Sequence, residues 1–301
     1  MQKPMRVFVT GATGWIGTVV VAELRAAGHA VLGMAHSDAG AARLKEQGID
    51  VHRADLREPA SLADAVRATD AVIHLAFHMD FSDFAGINKI DREAIAVMLG
   101  AMEGTGKPFV GTNGTLIVAH PGKVATEADD VPPAGSPLAV RLEAERLVVA
   151  AAQRGVRSSV VRLAPTVHGA GDKGFVPMLV GLARQKGFAA YVDDGATHWP
   201  AVHRVDAARL YRLALEGAPA GTVLHATAEQ GVTQRAIAET IAQGAGVPAR
   251  GVSAAEAGAH FGWMAMAVTL DNQTSSARTR TLLDWTPREP GLLEDMRASY
   301  F

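Results

Sequence analysis

The sequence has no cysteine among its 301 residues. That excludes a disulfide framework, thiolate nucleophiles and cysteine-ligated metal, and it agrees with a reducing compartment such as the cytoplasm. Tyrosine is scarce, with three copies, so chemistry that needs a phenolic hydroxyl has few candidates. Neither sign of charge dominates: 29 Lys and Arg stand against 31 Asp and Glu, a formal net charge of −2. Without a basic arm or cluster, no nucleic acid is expected as a partner. No apolar stretch approaches the roughly 18 residues of a membrane span, and the apolar run in "MQKPMRVFVT" is too short for a signal-peptide core. There is no HExxH, and His198 and His203 are five residues apart in a strand region, which sends them to opposite faces. No metal site is expected. A GxSxG nucleophile turn is missing too. These absences leave a soluble, cytoplasmic protein that acts on a small molecule, away from membranes.

What is present is an alternation. Short Val- and Ile-rich runs ("MRVFVT", "HAVLGMA", "IDVHRAD", "DAVIHLA", "KPFVGT", "RSSVVRLAP") are separated by segments of helical period. The latter cover Trp15 to Ala27, Ala39 to Gln47, and stretches near 60–68, 88–103 and 138–153. The runs show little polar alternation, as expected for a parallel sheet covered on both faces. After Pro165 glycine and aromatic residues become denser, strands become fewer, and short helices dominate near 176–186, 206–216 and 233–244. The expected architecture is α/β: a doubly wound parallel sheet with a smaller C-terminal substrate-binding part. The sheet domain takes 1–165 and is completed by about 200–228, where "GTVLHAT" returns to it; 166–199 and 229–301 form the smaller part.

"TGATGWIG" lies directly after the first strand and opens the first helix. Gly11 permits the tight turn, Gly14 lets the backbone approach a pyrophosphate, and Gly17 lets the helix sit close to the strand. The helix N-terminus adds unpaired N–H groups and partial positive charge. A dinucleotide is therefore the expected cofactor, contacted also by Thr13, Trp15 and Ile16. The second strand is followed by His36, Ser37 and Asp38. His36 and Ser37 suit a 2′-phosphate, whereas Asp38 suits ribose hydroxyls or caps the next helix. NADP(H) is the preferred reading, with NAD(H) kept open. Asp55 and Leu56, after the third strand, are either adenine contacts or turn residues.

Together "TGATGWIG", "RADLREPASLADAV", "TDAVIHLA" and "LLDWTP" resemble the short-chain dehydrogenase/reductases, most closely the extended type related to nucleotide-sugar epimerases and 3β-hydroxysteroid dehydrogenases. The resemblance spans almost the whole chain. It implies a Rossmann domain, a C-terminal substrate domain, and a homodimer formed through the helices after the fourth and fifth strands. It also implies that Leu75, Ala76 and Thr112 pass close to the cofactor. The departures are as specific. Counting back from Glu145, the family's lysine place holds Arg141 and its tyrosine place Pro137, while the serine place falls on Gly114, between Asn113 and Thr115.

Carbonyl reduction needs a hydride, oxyanion stabilisation and a proton. Arg141 can supply electrostatics but not the proton; its alternative is an i,i+4 pair with Glu145 on a solvated helix face. Asn113, Thr115 and Thr112 can orient a substrate oxygen, or serve the turn around Gly114. His168, directly after the sixth strand, is the candidate for proton transfer. His78 lies near the same strand ends, His203 reads as mainly structural, and Tyr191 is the reserve. Phe77, Met79, Phe81, Phe84, Phe175, Trp199, Phe261 and Trp263 form an aromatic, apolar set divided between core and pocket, with His78, Phe81, Phe175, Trp199 and Trp263 assigned to substrate. An uncharged, hydrophobic ketone or alcohol fits better than a sugar nucleotide. An NADP(H)-dependent oxidoreductase with an atypical active site is the first expectation. A non-catalytic NADP(H) sensor or scaffold and an epimerase or dehydratase are the alternatives.

Overall fold

The computed structural model describes residues 3–77, 83–132 and 135–301. In chain order its strands are β1 (Arg6–Thr10), β2 (Ala30–Ala35), β3 (Asp50–Arg53), β4 (Ala71–His74), β5 (Pro108–Gly114), β6 (Val124–Ala125) and β7 (Arg157–Leu163). They continue as β8 (Thr166–His168), β9 (Ala189–Val192), β10 (His198–His203), β11 (Thr222–Ala226), β12 (Glu229–Thr233), β13 (Ala249–Val252) and β14 (Gln273–Thr274). The helices begin with α1 (Trp15–Ala26), α2 (Asp38–Glu46), α3 (Ala63–Arg67), α4 (Phe84–Gly100), α5 (Ala139–Ala150) and α6 (Phe175–Lys186). After these come α7 (Arg204–Gly217), α8 (Gln234–Ala245), α9 (Ala254–Phe261), α10 (Ala265–Thr269), α11 (Ala277–Leu283) and α12 (Leu292–Ser299).

Seven strands make one parallel sheet in the order β11-β7-β5-β4-β1-β2-β3. The order reverses beside β1, because β2 and β3 add on one side and β4 onwards on the other. Such a reversal opens a crevice at the carboxyl ends of β1 and β4, where crossover connections leave in opposite directions. Thr10 and His74 are register partners at that edge.

The sheet is covered on both faces, which is why its strands lack polar alternation. On one side Val9 and Ile73 pack with Val20 and Leu24 of α1 and with Leu210 and Tyr211 of α7. On the other, Phe8 and Phe109 meet Ile95 and Met98 of α4 and Val148 of α5. Burial of each such large side chain is worth about 1.5–3 kcal/mol. A separate core, with Val180, Trp199, Ile237, Ile241, Phe261 and Met296, holds the C-terminal part together.

Three local readings need adjustment. The helix expected from 88 starts at Phe84, because Asp83 caps it by accepting from the Gly86 N–H at 2.9 Å. The stretch 138–153 is α5 followed by a tighter 3₁₀ turn, which Gly155 ends at φ +73°. Beyond Pro165 the strands are more numerous than the sequence suggested. β12-β10-β8, β13-β9 and β14-β6 form three small sheets. Their strands are short and pair across long separations, as Val124 does with Gln273, so no alternating pattern marks them. The chain re-enters the central sheet at Thr222, beside Ser159. Among the described residues no helix is long and apolar enough to cross a membrane.

Candidate active site

The crevice at the end of β1 opens into a cavity of about 1240 Å³. Its floor is the glycine turn: Gly11, Thr13, Gly14, Trp15, Ile16 and Gly17 all line it. A Cβ on Gly17 would lie 1.9 Å from the Gly11 carbonyl oxygen, and one on Gly11, whose φ is +69°, would lie 2.8 Å from the Ala76 nitrogen. Side chains are therefore excluded where backbone must approach backbone and phosphate. Gly14 caps α1 without a side chain, so the first N–H groups of that helix stay free for an anion. The turn fits a dinucleotide's diphosphate.

Beyond the floor, the wall passes through His36, Asp55, Leu56 and Arg57 at one end. Arg57 donates to Asp55 at 2.6, 3.0 and 3.2 Å and holds its carboxyl down at about 2. Ser37 does not line the cavity: its hydroxyl accepts from the Gly40 N–H and caps α2. The cap expected of Asp38 is thus Ser37's, and Asp38 turns outward to pair with Arg53 at 3.1 Å.

Leu75, Ala76 and Phe77 form the middle of the wall, opposite Leu163, Pro165 and Val167. Thr10 fixes this stretch from behind, since its hydroxyl oxygen accepts from the Leu75 and Ala76 N–H groups, both at 3.1 Å. Its proton goes to His74 Nδ1 at 2.7 Å, and His74 Nε2 donates to Asp91 at 3.1 Å. Arg141 completes the line at 3.5 Å from the other Asp91 oxygen. It also reaches Asn113 Oδ1 at 3.3 Å and Asn88 at 3.5 Å. Arg141 therefore points inward from α5 and lies behind Phe77, outside the cavity lining. Its burial pulls the guanidinium below its usual range. The alternative pair with Glu145 does not form, because Glu145 is held by Arg162 at 2.5 and 3.0 Å.

At the end of β5 the neighbouring polar residues diverge. Asn113 turns toward α5, donating to the Arg141 carbonyl and to Glu145, so it leaves the wall. Thr112 lines the cavity, but its proton goes to the His74 carbonyl and its oxygen accepts from the Tyr211 hydroxyl. Full burial raises that tyrosine's pKa. Thr115 lines the cavity and accepts from Asn272 Nδ2 at 2.9 Å, which leaves its own proton to donate. Asn272, fully buried, carries no motif in sequence; only the fold brings it to Thr115.

The far wall comes from Asp172, Lys173, Gly174, Phe175, Met178 and Trp263. His168 is absent from it. The β8 strand buries that ring, with Nδ1 donating to Asp295 at 2.8 Å and the ring edge against His203. Trp199 is likewise core: it is fully buried behind Phe175, and its indole N–H donates to the Ala267 carbonyl at 2.9 Å. Phe261 is core as well. Tyr191 stacks under Arg235, away from the cavity. His78, Met79 and Phe81 lie outside the described residues. Asp172 and Lys173, which the sequence reading passed over, sit between glycines in "GAGDKGF", and that spacing was their one signal.

The sequence profile of the NAD dependent epimerase/dehydratase family matches residues 7–226, from β1 through β11. The chain belongs to that family. It is an enzyme of the extended short-chain dehydrogenase/reductase type, and the family's dinucleotide is NAD. An uncharacterized protein of Saccharomyces cerevisiae is 42% identical over 298 residues, covering 98% of this chain and 99% of the relative. A 4-hydroxy-2-methyl-3-oxo-4-farnesyl-3,4-dihydroquinoline-1-oxide ketoreductase of Stigmatella aurantiaca is 27% identical, covering 87% of this chain and 82% of its own. Among solved structures, a double mutant of the dTDP-glucose 4,6-dehydratase of Streptomyces venezuelae, with NAD bound, has a TM-score of 0.80 at 19% identity, covering 98% and 96% of the two chains. The cavity of this family member has no tyrosine among its described lining residues.

Proposed function

We propose that the protein is an NADP(H)-dependent reductase or dehydrogenase acting on a hydrophobic ketone or alcohol. The observation that carries this reading is the cavity's continuity: one wall runs from the glycine turn to an apolar mouth of Phe175, Met178 and Trp263. An uncharged, largely apolar substrate matches that mouth. The Stigmatella relative, a ketoreductase by name, is consistent with it.

When bound, the nicotinamide supplies or accepts the hydride. The chain's own contribution is to orient and to donate. Leu75 to Phe77, pinned by Thr10, form the surface against which the cofactor's ribose and ring rest. The Thr115 hydroxyl would hydrogen-bond the substrate oxygen, Asn272 fixing its direction, and the proton that completes the alcohol would come from water. Arg141 acts through Phe77 and Asn113, as a positioning residue. His36 supports a 2′-phosphate, since it lines the wall and the nearby Asp38 faces away toward Arg53. A homodimer through α4 and α5 and residence in the cytoplasm belong to the same reading.

Titration of NADPH and NADH by calorimetry, followed by turnover with aliphatic and aryl ketones beside sugar nucleotides, tests the proposal. Tighter binding of NADPH and turnover of apolar ketones support it. Preference for NADH, or turnover confined to sugar nucleotides, overturns it.

A further inference from the structure

The segment 169–174 runs from the C-terminal part to the cofactor side of the cavity, and it is pinned at several residues. Trp15 Nε1, at the start of α1, donates to the Ala170 carbonyl at 3.3 Å. A Cβ on the next residue, Gly171, would lie 3.8 Å from that same nitrogen. The other face of Trp15 carries the Arg204 guanidinium, 5.1 Å from the ring centre. On either side of Ala170, the Tyr300 hydroxyl accepts from the Gly169 N–H at 3.2 Å and donates to Asp172 at 2.7 Å. The second Asp172 oxygen accepts from the Gly174 N–H at 2.7 Å. Burial raises the pKa of both partners, which keeps the phenolic proton on Tyr300.

Between these pins Lys173 lines the cavity. Two basic side chains, Arg57 and Lys173, stand among the described lining residues, and Arg57 is already neutralised by Asp55. The Lys173 backbone is held by Asp172, while its ammonium has no hydrogen-bonding or ionic partner among the described residues. A diphosphate brings two negative charges to a turn whose helix N-terminus offers only about half a positive charge. A cation on the wall facing the turn would offset part of the remaining charge.

Resting on the dinucleotide-binding reading above, we infer that Lys173 binds the diphosphate of the cofactor from the substrate side of the cavity. Asp172 and Tyr300 position it, and the Trp15–Ala170 bond sets its height over the glycine turn. The cofactor is thus held between the N-terminal sheet domain and a segment anchored by the last helix of the chain.

The test is calorimetry with ADP-ribose, which carries the diphosphate alone, and with adenosine 2′-monophosphate, which lacks it. Lys173→Met is expected to weaken ADP-ribose about ten-fold, one lost charge-assisted contact. It should leave adenosine 2′-monophosphate unchanged, and Lys173→Arg should retain most of the affinity. Tyr300→Phe should weaken ADP-ribose in the same selective way, leaving adenosine 2′-monophosphate unchanged despite the modest stability cost of its two lost hydrogen bonds, which a merely structural tyrosine would not do. Equal ADP-ribose affinity in wild type and Lys173→Met overturns the inference while leaving the cofactor reading intact. Failure of the wild type to bind any dinucleotide overturns both. A rise in KM for the carbonyl substrate with unchanged ADP-ribose affinity also overturns it and assigns Lys173 to the substrate.

Discussion

The Arg141 guanidinium lies 4.1 Å from the centre of the Phe77 ring. Phe77 lines the cavity with one face, so Arg141 supports the wall from behind while answering the buried charge of Asp91. This cation-on-ring contact gives the arginine an electrostatic role that does not require touching substrate. Arg141→Ala should cost about 3 kcal/mol of stability, because it leaves Asp91 buried without its counter-charge. Urea denaturation measures that loss, and adding Asp91→Asn should recover part of it. Full additivity of the two substitutions would deny the coupling.

Gly17 is a second point at which the fold and the site are the same object. Gly17→Ala places a methyl group where the Gly11 carbonyl already stands, and α1 must move off the turn. Overpacking of this kind costs about 1–3 kcal/mol. Read as binding, it should weaken NADPH roughly ten- to hundred-fold in a calorimetric titration.

Thr115→Val keeps the shape of the wall and removes a hydroxyl whose proton has no acceptor among the described residues. The expected result is a fall in kcat of about 10²–10³, the effect of losing one oxyanion-stabilising donor. The NADPH dissociation constant should stay unchanged, because the valine still fills the wall beyond β5. A matched loss in both would reassign Thr115 to the cofactor.

The Glu145–Arg162 pair supplies a pH prediction. Arg162, fully buried, also donates to His225 Nε2 at 3.2 Å, while His225 Nδ1 donates to the Ser275 carbonyl at 2.8 Å. Burial first, and then the arginine's charge, push this histidine from 6.5 down to about 4. The unfolded chain therefore takes up the proton before the folded one does. Its contribution is complete above about pH 6.5 and is lost as pH falls from there toward about 4. Denaturation between pH 7 and pH 4 should show the decline, and His225→Gln should flatten it in that window. Parallel slopes for the two proteins would remove His225 as the cause.

The central sheet and the glycine turn were legible because each rests on a local constraint. Buried parallel strands suppress polar alternation, and a turn that forbids Cβ atoms writes glycine into the sequence at fixed spacing. Thr115 was named because the ends of parallel strands border the crevice, and Leu75 and Ala76 from the family resemblance; all three line the cavity. The destinations of Arg141 and His168 were not legible. Their partners, Asp91 and Asp295, stand 50 and 127 residues away, and nothing local marks them. Trp199 and Trp263 look alike in sequence, yet one is sealed in the core and the other is 53% exposed at the mouth. Only the packing of β10 against α10 separates them.

The most direct test of the proposed chemistry is hydride transfer itself. Wild-type protein is incubated with NADPH carrying deuterium at both C4 positions and with a panel of apolar ketones, and the alcohols are weighed by mass spectrometry. The expected product carries one deuterium on its carbinol carbon. Tight NADPH binding with no deuterium in any product would contradict an oxidoreductase of this class and leave a protein that holds the cofactor without using it.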